Sequence, residues 1–343
     1  MRKLLNTLFV TSEDAYAALD GENIIIRKGE ETVARFPFVT LESIVMFSYS
    51  GTSPALMGAC AKRGIDLVFC SPQGRFLART CGESRGNVLL RRQQYRIADD
   101  NAESCKIAAC SVFGKVSNAR ASVDRTLRDH PLRIDTDKFR SVSEQLKEML
   151  SQILVCSDLD TLRGLEGNTA KIYFSCFDDM ILGDKDNFFF RDRNRRPPRD
   201  NVNAMLSFIY TLLANDCASA LESVGLDSYV GFMHRDKPGR TSLALDLMEE
   251  LRPCLADRFV LSLVNNRIMN PSDFQKQENG AVLLTDNARK KFIKNWQERK
   301  KDEITHPYLK EKMPWGLVPY VQALLMARYL RNDLDAYPCF IWK

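Results

Sequence analysis

The sequence predicts an α+β multidomain protein, with a small β-rich N-terminal domain over residues 1–86 and a larger all-α C-terminal domain over residues 87–343. Three observations predict it. Short runs of β-formers alternate with turn signals up to residue 86, and long stretches beyond it repeat apolar positions at the helical period opposite charged faces. A length of 343 residues also exceeds the usual size of one domain.

The strands are expected at Thr7–Val10, Ala15–Leu19, Asn23–Arg27, Thr32–Phe36, Ser43–Phe47, Asp66–Cys70 and Arg75–Arg79. Asp20-Gly21, Lys28-Gly29 and Pro72-Gln73-Gly74 supply the turns. One helix interrupts them, opened by Ser53-Pro54 and closed by Gly64, a start and stop pair with clear capping chemistry. Helices then dominate: Val88–Ala98, Glu103–Leu127, Asp137–Leu154, a mostly helical stretch from Asp158 to Ile181, and Asn201–Val224. A later helix over 288–301 should turn Phe292, Ile293 and Trp296 toward the core and its lysines toward solvent.

Composition narrows the function classes. Hydrophobic residues make up 45%, enough for a sizeable core, and a net charge of +5 permits nucleic-acid binding without demanding it. No 18-residue apolar run and no signal peptide is seen, so a cytoplasmic protein without a membrane partner is expected. The ten cysteines include no Cys-x-x-Cys pair, which favours reduced thiols over zinc or disulfides.

The densest chemistry lies between Gly231 and Glu250. After Pro238-Gly239, Thr241 or Ser242 can cap a helix whose buried stripe is Leu243, Leu247 and Leu251. Asp246 and Glu249 are then neighbours on that helix and concentrate negative charge. A metal ion is one answer; an exposed acidic face balanced by Arg240 and Arg252 is the other, and suits the pair taken alone. His234, one of only three histidines, shifts the balance, because it precedes Arg235, Lys237 and Arg240, cations suited to phosphate oxygens.

A second candidate is Arg163-Gly164-Leu165-Glu166-Gly167. Two glycines inside a helix each cost about 1 kcal/mol against alanine, so they imply close approach of another backbone. That backbone is a ligand's sugar-phosphate chain or a tightly packed helix. Basic loops add to the DNA-facing candidates: Arg191, Arg193, Arg195, Arg196 and Arg199 surround Pro197-Pro198, which forbids helix there, and Asp200 is placed to cap the next helix. Arg85, Arg91, Arg92 and Arg96 read as a hydrated face, and His306 and Trp315 as structural.

Three passages together resemble the CRISPR-associated integrase that inserts new spacers, the Cas one endonuclease, in particular its type I-C branch. They are Leu165-Glu166-Gly167, Arg195-Arg196-Pro197-Pro198 running into Asn201 through Phe208, and His234 through Glu249, and the resemblance spans essentially the whole chain. It implies that Glu166, His234 and Glu249 bind a divalent ion, with Asp246 as a supporting acid. Some members carry aspartate as the third ligand. Two carboxylates and one imidazole suit Mg²⁺ or Mn²⁺. The resemblance further implies a DNA endonuclease and integrase that joins prespacer 3′-OH ends into repeat DNA. Its implied partners are a prespacer duplex, a homodimeric copy paired through the β-rich domain, a Cas two dimer and a Cas four protein. A general metal-dependent repair nuclease and a non-catalytic DNA scaffold are the alternatives, separated by strand-transfer products and by sensitivity to EDTA.

Overall fold

The computed structural model describes residues 7–12, 14–41, 43–71, 76–80 and 88–342. The expected domain boundary at 86, Arg75, Cys81 and Arg85 lie outside the described residues. The N-terminal part runs β1 (Thr7–Val10), β2 (Ala15–Asp20), β3 (Asn23–Lys28), β4 (Glu31–Pro37), β5 (Ser43–Met46), α1 (Pro54–Arg63), β6 (Asp66–Cys70) and β7 (Phe76–Arg79). β2, β3 and β4 form an antiparallel meander, while the second sheet has the order β1-β5-β6-β7, parallel except for β7. α1 is the crossover between parallel β5 and β6. Ser53 accepts a hydrogen bond from the Leu56 amide at its start, and Gly64 closes it at φ +66°, so both sequence signals act as capping chemistry requires.

Alternation along β5 and its continuation explains how the two parts join. Ile44 and Met46 pack with α1 into a local core, whereas Val45 and Phe47 point the opposite way, into the large core of the helical part. Phe47 meets Phe208 with ring centroids 6.1 Å apart. Arg79 strengthens the seam: its guanidinium, almost wholly buried, lies 2.8 Å from Asp66 and 2.8 Å from Glu222.

The helical part continues with α2 (Val88–Asp99), α3 (Asn101–Asp129), α4 (Thr136–Leu154), α5 (Leu159–Phe174), α6 (Asn201–Ser223), α7 (Ser242–Glu249) and α8 (Arg258–Asn265). A π-helical turn, Arg252–Asp257, separates the last two. Beyond them come β8 (Phe274–Lys276), β9 (Val282–Leu284), α9 (Asp286–Lys301), β10 (Glu303–Thr305), β11 (Lys312–Pro314) and α10 (Val318–Leu330). The expectation of an all-α C-terminal domain is therefore corrected. β8 pairs with β9 and β10 with β11 in two small hairpins, whose strands are too short to show alternation.

Within this frame α6 is the central helix. It is apolar and long enough to cross a membrane by composition, yet 67% of its most apolar window is buried inside the protein, as a core helix requires. Asp200 caps it through the Asn203 amide. Phe292, Ile293 and Trp296 of α9 are buried as their spacing predicts, and His306 and Trp315 are buried as well. His306 shares a hydrogen bond with Gln322, which suits its structural reading. The described cysteines are all free thiols.

Candidate functional site

The site forms where α3, α5 and α7 meet the loop that precedes α7. Leu243, Leu247 and Leu251 are fully buried, so α7 is pulled hard against the core. Asp246 and Glu249 go in with it, at 2% and 3% exposure, which overturns the alternative of an exposed acidic face. A buried carboxylate must find partners. The two acids find different ones.

Asp246 is saturated by the loop. Its Oδ2 accepts from the amides of Phe232 at 2.6 Å and Met233 at 2.9 Å, and its Oδ1 accepts from the His234 amide at 3.0 Å. Nδ1 of His234 lies 2.6 Å from the same Oδ1, and since a carboxylate only accepts, the proton sits on Nδ1. Those four donors use the roughly four lone-pair sites that a carboxylate offers, leaving none for a cation. In the neutral ring the Nε2 lone pair of His234 remains. Burial alone would lower the His234 pKa, but the Asp246 carboxylate and the nearby Glu249 outweigh it and hold it above the usual value. Gly231 makes the close turn possible: a Cβ there would stand 2.9 Å from Asp246 Oδ2 and 2.9 Å from the His234 carbonyl.

Glu249 looks the other way. Its Oε1 accepts from Arg252 at 2.6 Å, and that guanidinium lies 4.2 Å from the centre of the Tyr210 ring. Its Oε2 is buried and receives no geometrically formed hydrogen bond among the described residues, but the Lys115 ammonium of α3 stands 2.7 Å away. The same ammonium pairs with Glu166 of α5. Burial would raise the Glu249 pKa, but Arg252, Lys115 and His234 together hold it far below the ordinary glutamate range. Glu249 is thus ionised. Arg163, one turn before Glu166, ties α5 to the loop by donating to the Met233 carbonyl at 2.8 Å and 3.1 Å.

Glu166, His234 and Glu249 are therefore brought into one neighbourhood but not onto one point. Among the described residues no three His, Cys, Asp or Glu side chains close around a common ion position. In this structure the two glutamates close on an ammonium, that of Lys115. The donor chemistry still fits a hard divalent ion: two carboxylates already share one cation, one of their oxygens lacks a hydrogen bond, and an imidazole beside them has its second nitrogen fixed. Among the described residues nothing beyond their own helix backbone lies within 4 Å of where a Cβ of Gly164 or Gly167 would sit, so the alternative of tight helix packing fails for both.

Lys115 was not among the residues singled out by pattern, whereas Arg252 was expected as a balancing cation and does pair with Glu249. Lys115 had one trace, since it shares a helix face with buried Val112 and Ala119. Beside it opens a cavity of about 460 Å³, walled by Glu166, Tyr173, Phe190, Tyr210, Arg193 and Arg252 among others. Of the basic candidates, Arg191, Arg195, Arg196, Arg199, Arg235 and Lys237 are exposed, and Arg240 is half-buried and donates to Ser242. Arg235 also reaches Asp160 at 3.2 Å. Arg193 turns inward, donating to Asn203 at 2.7 Å and Ser207 at 3.2 Å over the Tyr210 ring, because α6 presents those three acceptors on one face.

Asp257, at the end of the π turn, lines the same cavity and is 2% exposed. Burial raises its pKa to about 6, although the Tyr210 hydroxyl and the Arg252 and Arg193 cations pull against that. A carboxyl raised from 3.8 contributes its full stability below that value and loses it as the pH climbs through about 6. Wild-type stability relative to Asp257→Asn is therefore expected to fall by roughly 1–3 kcal/mol between about pH 4 and pH 7, read from urea midpoints. A difference that stays flat over that range removes Asp257 as a titrating group.

The backbone aligns with solved structures along nearly all its length. A casposase bound to integration product superposes with a TM-score of 0.84 at 22% identity, over 98% of this chain and 94% of that one. The Cas6-RT-Cas1–Cas2 complex does so with a TM-score of 0.83 at 21% identity, over 100% of this chain and 37% of that one. The fold is thus of the Cas1-like α+β class, N-terminal strands followed by a helical region. The family described as CRISPR associated protein Cas1 matches residues 8–298, and the chain belongs to that family. A CRISPR-associated endonuclease Cas1 of Rhodospirillum rubrum is 50% identical over 100% of both chains, and one of Chlorobaculum tepidum is 46% identical over 100% of both. A Cas4 exonuclease and Cas1 endonuclease fusion of Geobacter sulfurreducens is 34% identical over 98% of this chain and 60% of its own length.

Proposed function

We propose that this protein joins the 3′-OH ends of a prespacer duplex into CRISPR repeat DNA by transesterification, using Mg²⁺ or Mn²⁺ held by Glu166, His234 and Glu249. The single observation carrying this is that carboxylates from two separate helices meet over one cation beside an imidazole anchored at its far nitrogen. A bound divalent ion would polarise a non-bridging phosphate oxygen, ease ionisation of the attacking hydroxyl and offset charge on the pentavalent transition state.

The chain's own residues do the rest. Asp246 holds the His234 ring in one tautomer and one orientation, and Arg252 holds Glu249 in one rotamer. The exposed arginines of the 191–199 loop neutralise phosphates along the incoming strand. In the joining step the prespacer 3′ oxygen bonds to phosphorus as the repeat's own 3′ oxygen leaves and takes up a proton. One phosphodiester replaces another, so no outside energy or covalent enzyme intermediate is needed.

Membership of the type I-C branch, action as a homodimer beside a Cas two dimer, cooperation with a Cas four protein and a cytoplasmic location belong to the same proposal. The Cas1–Cas2 assembly of one structural neighbour and the Cas4 fusion of one relative support the partners. The test is half-site joining with purified partner, oligonucleotide duplex, repeat DNA and each ion in turn. Joined products that appear with either ion and vanish in EDTA are expected. Cleavage without joining favours the repair nuclease, and ion-indifferent binding without reaction favours the scaffold.

Arg195 and Arg196 provide a separate check. Both are exposed on the loop before α6, and their joint replacement by alanine is expected to weaken binding to all DNA sequences alike. The slope of log affinity against log salt should flatten by about one to two. An unchanged slope would remove the loop from the footprint.

A further inference from the structure

Lys115 is a charged side chain where the fold has little room for one. It projects from α3 on the face that carries Val112 and Ala119, its side chain is 12% exposed, and its ammonium touches both Glu166 and Glu249. Two glutamates from different helices would repel each other if left facing without a cation. The ammonium removes that repulsion. An ammonium is also a compact point charge on a flexible four-carbon stem, unlike the rigid, forked guanidinium that Arg252 sets against the other oxygen of Glu249. One partner of Glu249 is therefore built to stay and the other is able to leave.

Somewhere to go exists as well. Lys115 lines the cavity of about 460 Å³, together with Arg191, Asp192, Arg193, Arg195 and Asp257, so a displaced ammonium has room to swing toward a phosphate that the arginines would attract. A divalent ion and an ammonium cannot share the same two carboxylate oxygens at close range without strong repulsion.

We propose that Lys115 is a resident counter-cation, which holds Glu166 and Glu249 together in the ion-free protein, competes with the divalent ion for them, and turns to a DNA phosphate once displaced. This rests on the metal site proposed above. The exchange gives the site a reason to keep its carboxylates in register before an ion arrives, and it makes ion entry and phosphate capture two sides of one movement.

The experiment is Mn²⁺ binding to the full-length protein, followed by the loss of the free-ion electron paramagnetic resonance signal. Lys115→Met removes the competitor and is expected to bind Mn²⁺ about fivefold more tightly than wild type or better. Lys115→Arg keeps a cation there and should bind no more tightly than wild type. Equal or weaker binding by Lys115→Met, or an equal gain by Lys115→Arg, overturns the proposal. Melting in EDTA and in Mn²⁺ guards against misfolding: the Mn²⁺-induced rise in Tm should be larger for Lys115→Met than for wild type, and a smaller or absent rise counts against it. Duplex affinity should be unchanged by Lys115→Met in EDTA and about threefold weaker in Mn²⁺; equal ratios in both buffers also overturn it. The joint change Glu166→Gln with Glu249→Gln separates the two levels. If that variant binds Mn²⁺ like wild type, the metal site itself fails; if it loses the ion while Lys115→Met gains nothing, only the role of Lys115 falls.

Discussion

His234→Ala is expected to lower strand joining by about a hundredfold to ten-thousandfold, with duplex affinity at fixed salt changed by no more than about threefold. The two numbers diverge because the ring serves reactivity and not attachment. It is half-buried, spends its Nδ1 proton on Asp246 and offers one Nε2 lone pair to whatever sits beside Glu249. Binding to the DNA backbone is assigned instead to exposed cations such as Arg195 and Arg196, which lie on another stretch of chain. His234→Asn, which keeps polarity but not the imidazole geometry, should fall nearly as far. Joining by His234→Ala at the wild-type rate would detach the histidine from the chemistry, and a parallel collapse of duplex affinity would recast it as a binding residue.

Local signals were the most legible part of this fold. Ser53-Pro54 and Gly64 bounded α1 because capping is decided by the few residues at each end, and the strand positions followed from alternation and turn residues. The hairpins β8–β9 and β10–β11 escaped because three residues cannot display a period. For the site, spacing on one helix told that Asp246 and Glu249 are neighbours, but not that the helix would be driven inward. That depended on the fully buried Leu243, Leu247 and Leu251 finding a core to enter.

What joins distant segments was least legible. Glu166, His234 and Glu249 were assembled on family resemblance, and nothing in their separation along the chain announces a shared neighbourhood. Lys115 was invisible to the same approach, although a lysine on the face of Val112 and Ala119 is a local conflict that asks for a buried partner. Arg193 shows the opposite failure. In a run of arginines the sequence cannot say which one folds inward, and the answer lay in Asn203, Ser207 and Tyr210, whose spacing on α6 builds a receptor for a guanidinium.

Asp246→Asn is expected to cost as much activity as the loss of the histidine, by a different route. An asparagine has one acceptor oxygen in place of two, and its amide group would face N–H donors at the positions where Phe232 and Met233, or His234, now donate. Each backbone amide left unsatisfied in this buried loop costs about 1–3 kcal/mol, so the 232–234 segment should loosen or shift. The ring then loses its fixed tautomer, a change that lowers rates by about ten-thousandfold where a comparable aspartate holds a catalytic histidine. A fall in joining of about a hundredfold to ten-thousandfold is expected, together with an unfolding free energy lower by about 2–4 kcal/mol. Mn²⁺ binding decides between support and ligation. As a support, Asp246 should leave Asp246→Asn still able to bind the ion through Glu166 and Glu249, with affinity reduced about tenfold. As a ligand it would leave almost no binding at all, and that outcome would exchange the roles assigned here to Asp246 and Glu249.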